Sequence, residues 1–173
     1  MSKERLYFEN RENCLNYINS CESFVEIYVD AIENIYLSSM NCLEVGSGPG
    51  LDGKELQRRG VDMQLTDASE QFVSIVDGLT KMDAFEITGK YDMITMNKIM
   101  NDYSLEDIEK MSKSIDNALN VDGIFVTTLW TKDIDNWDRY ENILRKNFTL
   151  IDTIQYTEFN DGFDSILCVF SKI

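Results

Sequence analysis

The chain has 173 residues, 43% hydrophobic and 27% charged, the composition of one globular domain large enough for a proper core. Its 31 acidic residues against 16 basic ones give a formal charge of −15, so a phosphate backbone meets repulsion and a nucleic-acid substrate is disfavoured. Histidine is absent and Cys14, Cys21, Cys42 and Cys168 show no CxxC spacing, which removes a histidine base, a Ser-His-Asp set and the usual Cys/His zinc site.

Residues 12–39 read as two helices breaking near Asn19-Ser20. In the second, Phe24, Ile27, Tyr28, Ala31, Ile32, Ile35 and Tyr36 recur at three- and four-residue spacing, the mark of a core-facing stripe, part of which could roof a site. Tyr7 and Phe8, upstream in a polar segment, are candidates for a mobile flap. Residues 1–40 are therefore expected to form a helical cap, with Tyr7 and Tyr28 as substrate-pocket candidates.

From residue 41 strands and helices alternate. Residues 41–45 are strand-like and 51–59 helix-like, with Gly60 suited to a helix end. Residues 61–66 form a second strand ending at Asp67, and Ser69 can cap a helix running to Gly78. A short third strand is expected within 81–87 and a fourth over 91–96. Ser104-Leu105-Glu106-Asp107 starts a helix with Ile108, Met111, Ile115 and Leu119 on one face, ended by Asp122-Gly123. A fifth strand over 124–129 and a helix over 135–146 follow. Two closing strands, 148–159 and 163–170, are separated by the hairpin signal Asn160-Asp161-Gly162. Strand–helix alternation implies a parallel sheet covered by helices on both faces, with ligands at the carboxyl ends of the strands.

At that edge lies Glu44-Val45-Gly46-Ser47-Gly48-Pro49-Gly50, a strand end running into a loop with glycine at alternate positions. Without Cβ atoms such a loop can turn sharply and approach a ligand closely, and the following helix points free N–H groups into the same space. Asp67 follows Gly46 at the end of the next strand, where a carboxylate can accept hydrogen bonds from both hydroxyls of a ribose; a solvated strand-end acid is the plainer reading. Gly48-Pro49-Gly50-Leu51-Asp52-Gly53 formally matches the GxGxxG of dinucleotide binding. Against a dinucleotide, Glu44 puts a carboxylate where a pyrophosphate would not want one. It suits a ligand bearing an amino group and a sulfonium.

The stretch from Glu44 to Gly50 resembles motif I, E/D-x-G-x-G-x-G, of the class I S-adenosylmethionine-dependent methyltransferases, and the likeness extends over residues 41–173. It implies a seven-stranded, mostly parallel sheet in the order 3-2-1-4-5-7-6, strand 7 antiparallel, in a three-layer α/β/α sandwich. It implies S-adenosyl-L-methionine as cofactor and S-adenosyl-L-homocysteine as product. Gly46, Gly48 and Gly50, with Ser47 among them, would pass under the methionine and ribose, with Glu44 organising the loop and the amino end. Asp67 would hold the ribose and Ala68 flank the adenine. Asp83-Ala84 resembles the pair that meets the adenine amine, with a surface acid as the alternative, and Asn97 would border the methionine moiety.

Methyl transfer from a sulfonium is an in-line displacement that positioning and desolvation can accelerate without a strong base. If a base acts, Asp102 or Tyr103 is in the right neighbourhood; Asp102 could equally do no more than precede a helix. Trp130 could line an acceptor pocket, contact a cationic group through its π face, or simply pack. Asn97-Lys98-Ile99-Met100 stands where the amino-methylating DNA enzymes carry Asn/Asp-Pro-Pro-Tyr/Phe, which argues against DNA amino methylation.

With so little chain outside the core, a small-molecule acceptor, cationic or neutral, is the leading expectation, and a partner protein or homodimer could complete the site. A non-catalytic cofactor-binding or scaffold subunit of the same fold is the alternative, followed by a cofactor-consuming reaction other than methyl transfer. No metal is expected. No apolar run approaches the ~20 residues of a membrane span and Met1-Ser2-Lys3-Glu4-Arg5 lacks a signal peptide's apolar core, so no membrane contact and a cytoplasmic location are expected.

Overall fold

A computed structural model describes residues 6–21, 26–130, 137–157 and 164–173. Two helices, α1 (Arg11–Ser20) and α2 (Glu26–Ile35), precede the alternating region. It runs β1 (Cys42–Val45), α3 (Leu51–Arg58), β2 (Met63–Asp67), α4 (Glu70–Ile75), β3 (Leu79–Lys81) and β4 (Tyr91–Asn97). After a 3-10 turn (Met100–Asp102) come α5 (Leu105–Ala118), β5 (Leu119–Trp130), α6 (Trp137–Leu144), β6 (Phe148–Thr157) and β7 (Asp164–Lys172). The strands form one sheet in the order β3-β2-β1-β4-β5-β7-β6. β3 to β5 run parallel and β7 is antiparallel to both β5 and β6. This is the expected order, and β7 has the expected direction. The hairpin turn itself, at Asn160-Asp161-Gly162, lies outside the described residues, as do residues 135 and 136 of the expected sixth helix.

Two local expectations are corrected. The third strand lies earlier than residues 81–87: Leu79, Thr80 and Lys81 pair with Leu65, Thr66 and Asp67. The chain past Lys81 uses its backbone donors elsewhere, Met82 N–H on the Asp67 carbonyl (3.0 Å), Phe85 N–H on the Asp83 carboxylate (3.1 Å) and Ile87 N–H on Ser114 Oγ (2.9 Å). Nor does Asp122-Gly123 end a helix. α5 stops at Ala118 because Leu119 is already extended and buried opposite Tyr91, and the register then slips so that Met93 faces Ile124. Asp122 takes the slip in a left-handed conformation (φ 62), and Asn120 anchors it through an amide N–H donated to Asp92 (2.8 Å).

Two apolar layers sandwich the sheet. On one face Leu43, Ile94, Met96, Phe125 and Phe170 pack under α5 and α6. On the other, Cys42, Met93, Val126 and Leu167 pack with Tyr28 and Ile32 of α2, Leu56 of α3 and Phe72 of α4. α2 is therefore integral to the core rather than part of a separate cap. Arg59 ties it to α3, reaching Asp30 (2.6 Å), Glu33 (2.8 Å) and Glu55 (2.9 Å). Phe8 is likewise docked rather than flap-like, its ring 5.0 Å from Phe72 and 5.1 Å from Tyr17. Cys42 and Cys168 are fully buried free thiols, pushed by that burial up to about 12.

Phe125 stands at the centre of the β5-β7-β6 half, its ring 5.6 Å from Phe148 and 6.0 Å from Phe170. Phe125→Ala leaves a cavity three strands must share, so urea unfolding is expected to report a loss of about 3–5 kcal/mol with an unchanged m-value.

Candidate functional site

The carboxyl edge of β1, β2 and β4 gathers most of the residues singled out by sequence. At the end of β1 the chain enters the glycine loop, where Gly46, Gly48 and Gly50 take φ of 72°, 50° and 71°. At Gly46 a Cβ would lie 2.4 Å from Ile99 Cδ1, so the loop is packed against the segment leaving β4. At Gly48 a Cβ would meet nothing within 4 Å: the backbone there borders open space. Ser47 stitches the loop to β2, its N–H donating to the Thr66 carbonyl (2.9 Å) and its Oγ accepting from Thr66 N–H (3.2 Å).

Asp67, at the end of β2, faces this loop. One carboxylate oxygen accepts from Gly48 N–H (2.9 Å), the other from Ser69 N–H (2.8 Å). Ala68, between Asp67 and Ser69, is half-buried. Ser69 caps α4 by accepting from Phe72 N–H (3.3 Å) and donates its hydroxyl to the Phe8 carbonyl (2.7 Å), so the N-terminal segment is fastened to the Asp67 loop. Asp83 joins the same edge just past β3, half-buried, with Ala84 buried behind it. Tyr7 is exposed and meets Phe8 edge-on at 5.1 Å.

Glu44 is the unusual member, a carboxyl only 3% exposed in the middle of the sheet. The Tyr28 hydroxyl, itself fully buried, donates to it at 3.2 Å, which places Tyr28 beneath the loop. Burial first, and then the Asp52 carboxylate, push the Glu44 carboxyl up to about 7. Burial and the same glutamate hold the Tyr28 phenol well above its ordinary value. Room for the carboxyl comes from Gly53 in α3, where a Cβ would lie 2.5 Å from Glu44 Oε2 and 2.2 Å from Leu65 Cδ2. The formal GxGxxG match at Gly53 thus has a steric cause within the fold.

On the far side of the loop, Asn97 donates its amide to Asp52 (2.9 Å) and accepts from the Thr128 hydroxyl. Thr128 Oγ1 accepts in turn from Lys98 N–H (2.9 Å), and Lys98 has a left-handed backbone (φ 57). The Lys98 ammonium lies 5.7 Å from the centroid of the half-buried Trp130 ring, whose backbone N–H points to Asn101 Oδ1 (3.4 Å). Tyr103 is half-buried, edge-on to Phe85 at 5.7 Å, while the side chain of Asp102 lies outside the described residues. Asp52, Gly53, Lys98 and Thr128 are the site's residues that sequence reasoning did not assign. Asp52 left a signal as an acid in the first turn of the helix after the loop, and Gly53 as the last glycine of the formal GxGxxG match. Among the described residues no group of three or more His, Cys, Asp or Glu side chains could hold a metal ion. Among them, too, no helix is long and apolar enough to cross a membrane.

This sheet order with a glycine loop after β1 is the class I methyltransferase fold. Among solved structures, a TehB-like S-adenosylmethionine-dependent methyltransferase from Corynebacterium glutamicum superposes with a TM-score of 0.80 at 17% identity, over 95% of this chain and 100% of its own. Magnesium protoporphyrin IX methyltransferase (ChlM) from Synechocystis, with bound S-adenosylhomocysteine, gives 0.73 at 15% identity over 98% of both chains. The N-methyltransferase NodS from Bradyrhizobium japonicum, in complex with S-adenosylhomocysteine, gives 0.70 at 13% identity over 94% of this chain and 97% of its own. No protein-family model and no curated protein sequence matches the chain.

Two outcomes follow from the burial of Glu44. Because its folded pKa lies above the ordinary 4.5, the native state holds a proton that the unfolded chain has released. Stability should fall as pH rises from about 4.5 to about 7, by at most ~1.4 kcal/mol per unit, and level off above; chemical denaturation across that range checks it, and Glu44→Gln should flatten that component. Gly53→Ala gains ~1 kcal/mol of helix propensity but forces the Cβ into Glu44 and Leu65, an overpacking cost of ~1–3 kcal/mol, so a lowered melting temperature is expected.

Proposed function

We propose that the chain is an S-adenosylmethionine-dependent methyltransferase acting on a small molecule. The observation that carries this reading is the pairing of open backbone at Gly48 with the Asp67 carboxylate across from it, on a methyltransferase sheet. The residues present fit the cofactor. The Asp67 carboxylate is an acceptor suited to ribose hydroxyls, with Ala68 and Asp83 on the adenine side. Gly46, Gly48 and Gly50 leave backbone within reach of the ligand, and Asn97, held from both sides by Asp52 and Thr128, presents a fixed amide edge toward the methionine end.

When bound, the cofactor supplies an electrophilic methyl on a sulfonium. The chain's own part is to orient and to dry the site. Asp52 places negative charge near the cationic centre, and a bound cation there would offset part of what burial and Asp52 do to the Glu44 carboxyl and favour its ionised form. Trp130 and Lys98 border the acceptor side, and the N-terminal segment, fastened at Ser69, limits access of water. With no histidine in the chain, the acceleration rests on positioning and desolvation rather than on an imidazole base. The three structural neighbours described above are methyltransferases, two of them with bound S-adenosylhomocysteine, which supports the cofactor. A cytoplasmic, small-molecule enzyme is consistent with the acidic charge.

Isothermal calorimetry with S-adenosylmethionine and S-adenosylhomocysteine tests the reading directly: both are expected to bind with unit stoichiometry, and binding of neither would overturn it. Asp67→Ala removes charge-assisted hydrogen bonds to the ribose and should weaken both by ~1–3 kcal/mol while leaving the far-ultraviolet circular dichroism unchanged.

A further inference from the structure

The walls around Glu44 come from different elements, and they oppose one another electrically. In the sheet, Leu65 of β2 and Thr95 of β4 flank it in register. From α2 the Tyr28 hydroxyl donates to Oε1 at 3.2 Å, and the Ser47 side chain also hydrogen-bonds the carboxyl. Both favour the ionised form. From α3 the bare Gly53 lets the first turn close on Oε2. Against the two hydrogen bonds, burial first and Asp52 second favour the protonated form, and Asp67 of β2 adds a smaller push. The same edge also carries Lys54 of α3, whose stem passes Gly50, and Lys98, just past β4. The result is a carboxyl at about 7, close enough to balance for one added charge above the loop to tip it.

We infer that Glu44 reads the charge of the cofactor, losing its proton to solvent when the sulfonium form enters and regaining one when the neutral thioether product stands in its place. This deepens the methyltransferase reading and rests on it for the identity of the ligand. S-adenosylmethionine and S-adenosylhomocysteine share the adenosine, the amino group and the carboxylate, and differ at the sulfur by one methyl group and one positive charge. Contacts to the shared parts cannot separate the two. A carboxyl that changes its own charge with the sulfur can. Ionised, Glu44 joins Asp52 in attracting the sulfonium; with the product bound, the same two carboxylates would only repel each other, and the proton returns. A cation lowers the proton affinity of Glu44, so sulfonium binding strengthens as pH rises toward about 7 and levels off once the free protein is already ionised. Product binding lacks that dependence. The cofactor is thereby favoured over its product by a group buried beneath the loop.

The test is titration calorimetry of the whole protein at about pH 7 with each compound, in PIPES and in Tris, whose different ionisation enthalpies convert the observed heats into protons released. S-adenosylmethionine is expected to release up to about half a proton more from the wild type than from Glu44→Gln, and S-adenosylhomocysteine to show no such difference. The ligands' own amino groups titrate alike with both proteins and cancel. Between about pH 5 and pH 7.5 the wild-type affinity ratio of S-adenosylmethionine to S-adenosylhomocysteine should rise about five- to tenfold, and that of Glu44→Gln should stay within about twofold. Infrared difference spectra supply a check that needs no variant: S-adenosylmethionine should remove the carbonyl band of a buried protonated carboxyl, and S-adenosylhomocysteine should leave it. No proton release, equal release with both compounds, release that persists in Glu44→Gln, or a carbonyl band untouched by S-adenosylmethionine would overturn the inference and leave the cofactor reading in place. Binding of neither compound would overturn both.

Discussion

A carboxyl group buried in the middle of a parallel sheet is the constraint from which the rest of this site follows. Burying Glu44 without a partner would cost several kcal/mol, so the fold must bring it a donor and must leave it room. The donor is Tyr28, which fixes α2 against the sheet; the room is Gly53, which lets α3 approach β1 closely. Tyr28, Glu44 and Gly53 lie on three different elements and serve one requirement. The carboxyl's elevated proton affinity is the residue of that cost, and it leaves a charge-responsive group directly beneath the glycine loop.

The same face of the sheet changes character along its length. Side chains alternate between faces along a strand, so Cys42 and Glu44, Met93, Thr95 and Asn97, and Val126, Thr128 and Trp130 all point to the face covered by α2, α3 and α4. At the amino end that face is sulfur and aliphatic carbon; at the carboxyl end it becomes a row of hydrogen-bonding groups. A core that must exclude water and a site that must orient a polar ligand therefore share one surface. Continuity between them is what lets Thr95 and Thr128 be completely buried and still act as polar supports.

The fold was legible because its signals are periodic and local: the glycine loop, the strand–helix alternation and the closing pair of strands all lie in contiguous residues. The third strand escaped because it is only Leu79–Lys81, too short for alternation to register, and the apolar Phe85 and Ile87 beyond it belong to the core rather than to the sheet. Asp122-Gly123 read as a helix end because a left-handed turn carries the same residues whether it stops a helix or absorbs a slip between strands. In the site, the loop and strand-end acids could be located from position alone. Tyr28 could be read as part of a stripe and as a pocket candidate, but nothing in a helical period says that one hydroxyl on it meets a carboxylate from the sheet. Lys98 was invisible for a related reason: its significance is a backbone angle and a neighbour thirty-odd residues away, both consequences of how β4 and β5 are registered.

That registration shapes the far side of the site. Thr128 lies opposite Asn97 in the β4–β5 pairing, so one hydroxyl can donate to the Asn97 side chain and accept from the following backbone N–H. Through it, the Asn97 side chain and the backbone of the turn that follows are fixed by the same atom. A displacement reaction depends on the distance and angle between two bound groups, and errors in either act steeply on rate. Asn97 and the turn at Lys98 hang on one strand pairing near the centre of the sheet, so a shift of one carries the other.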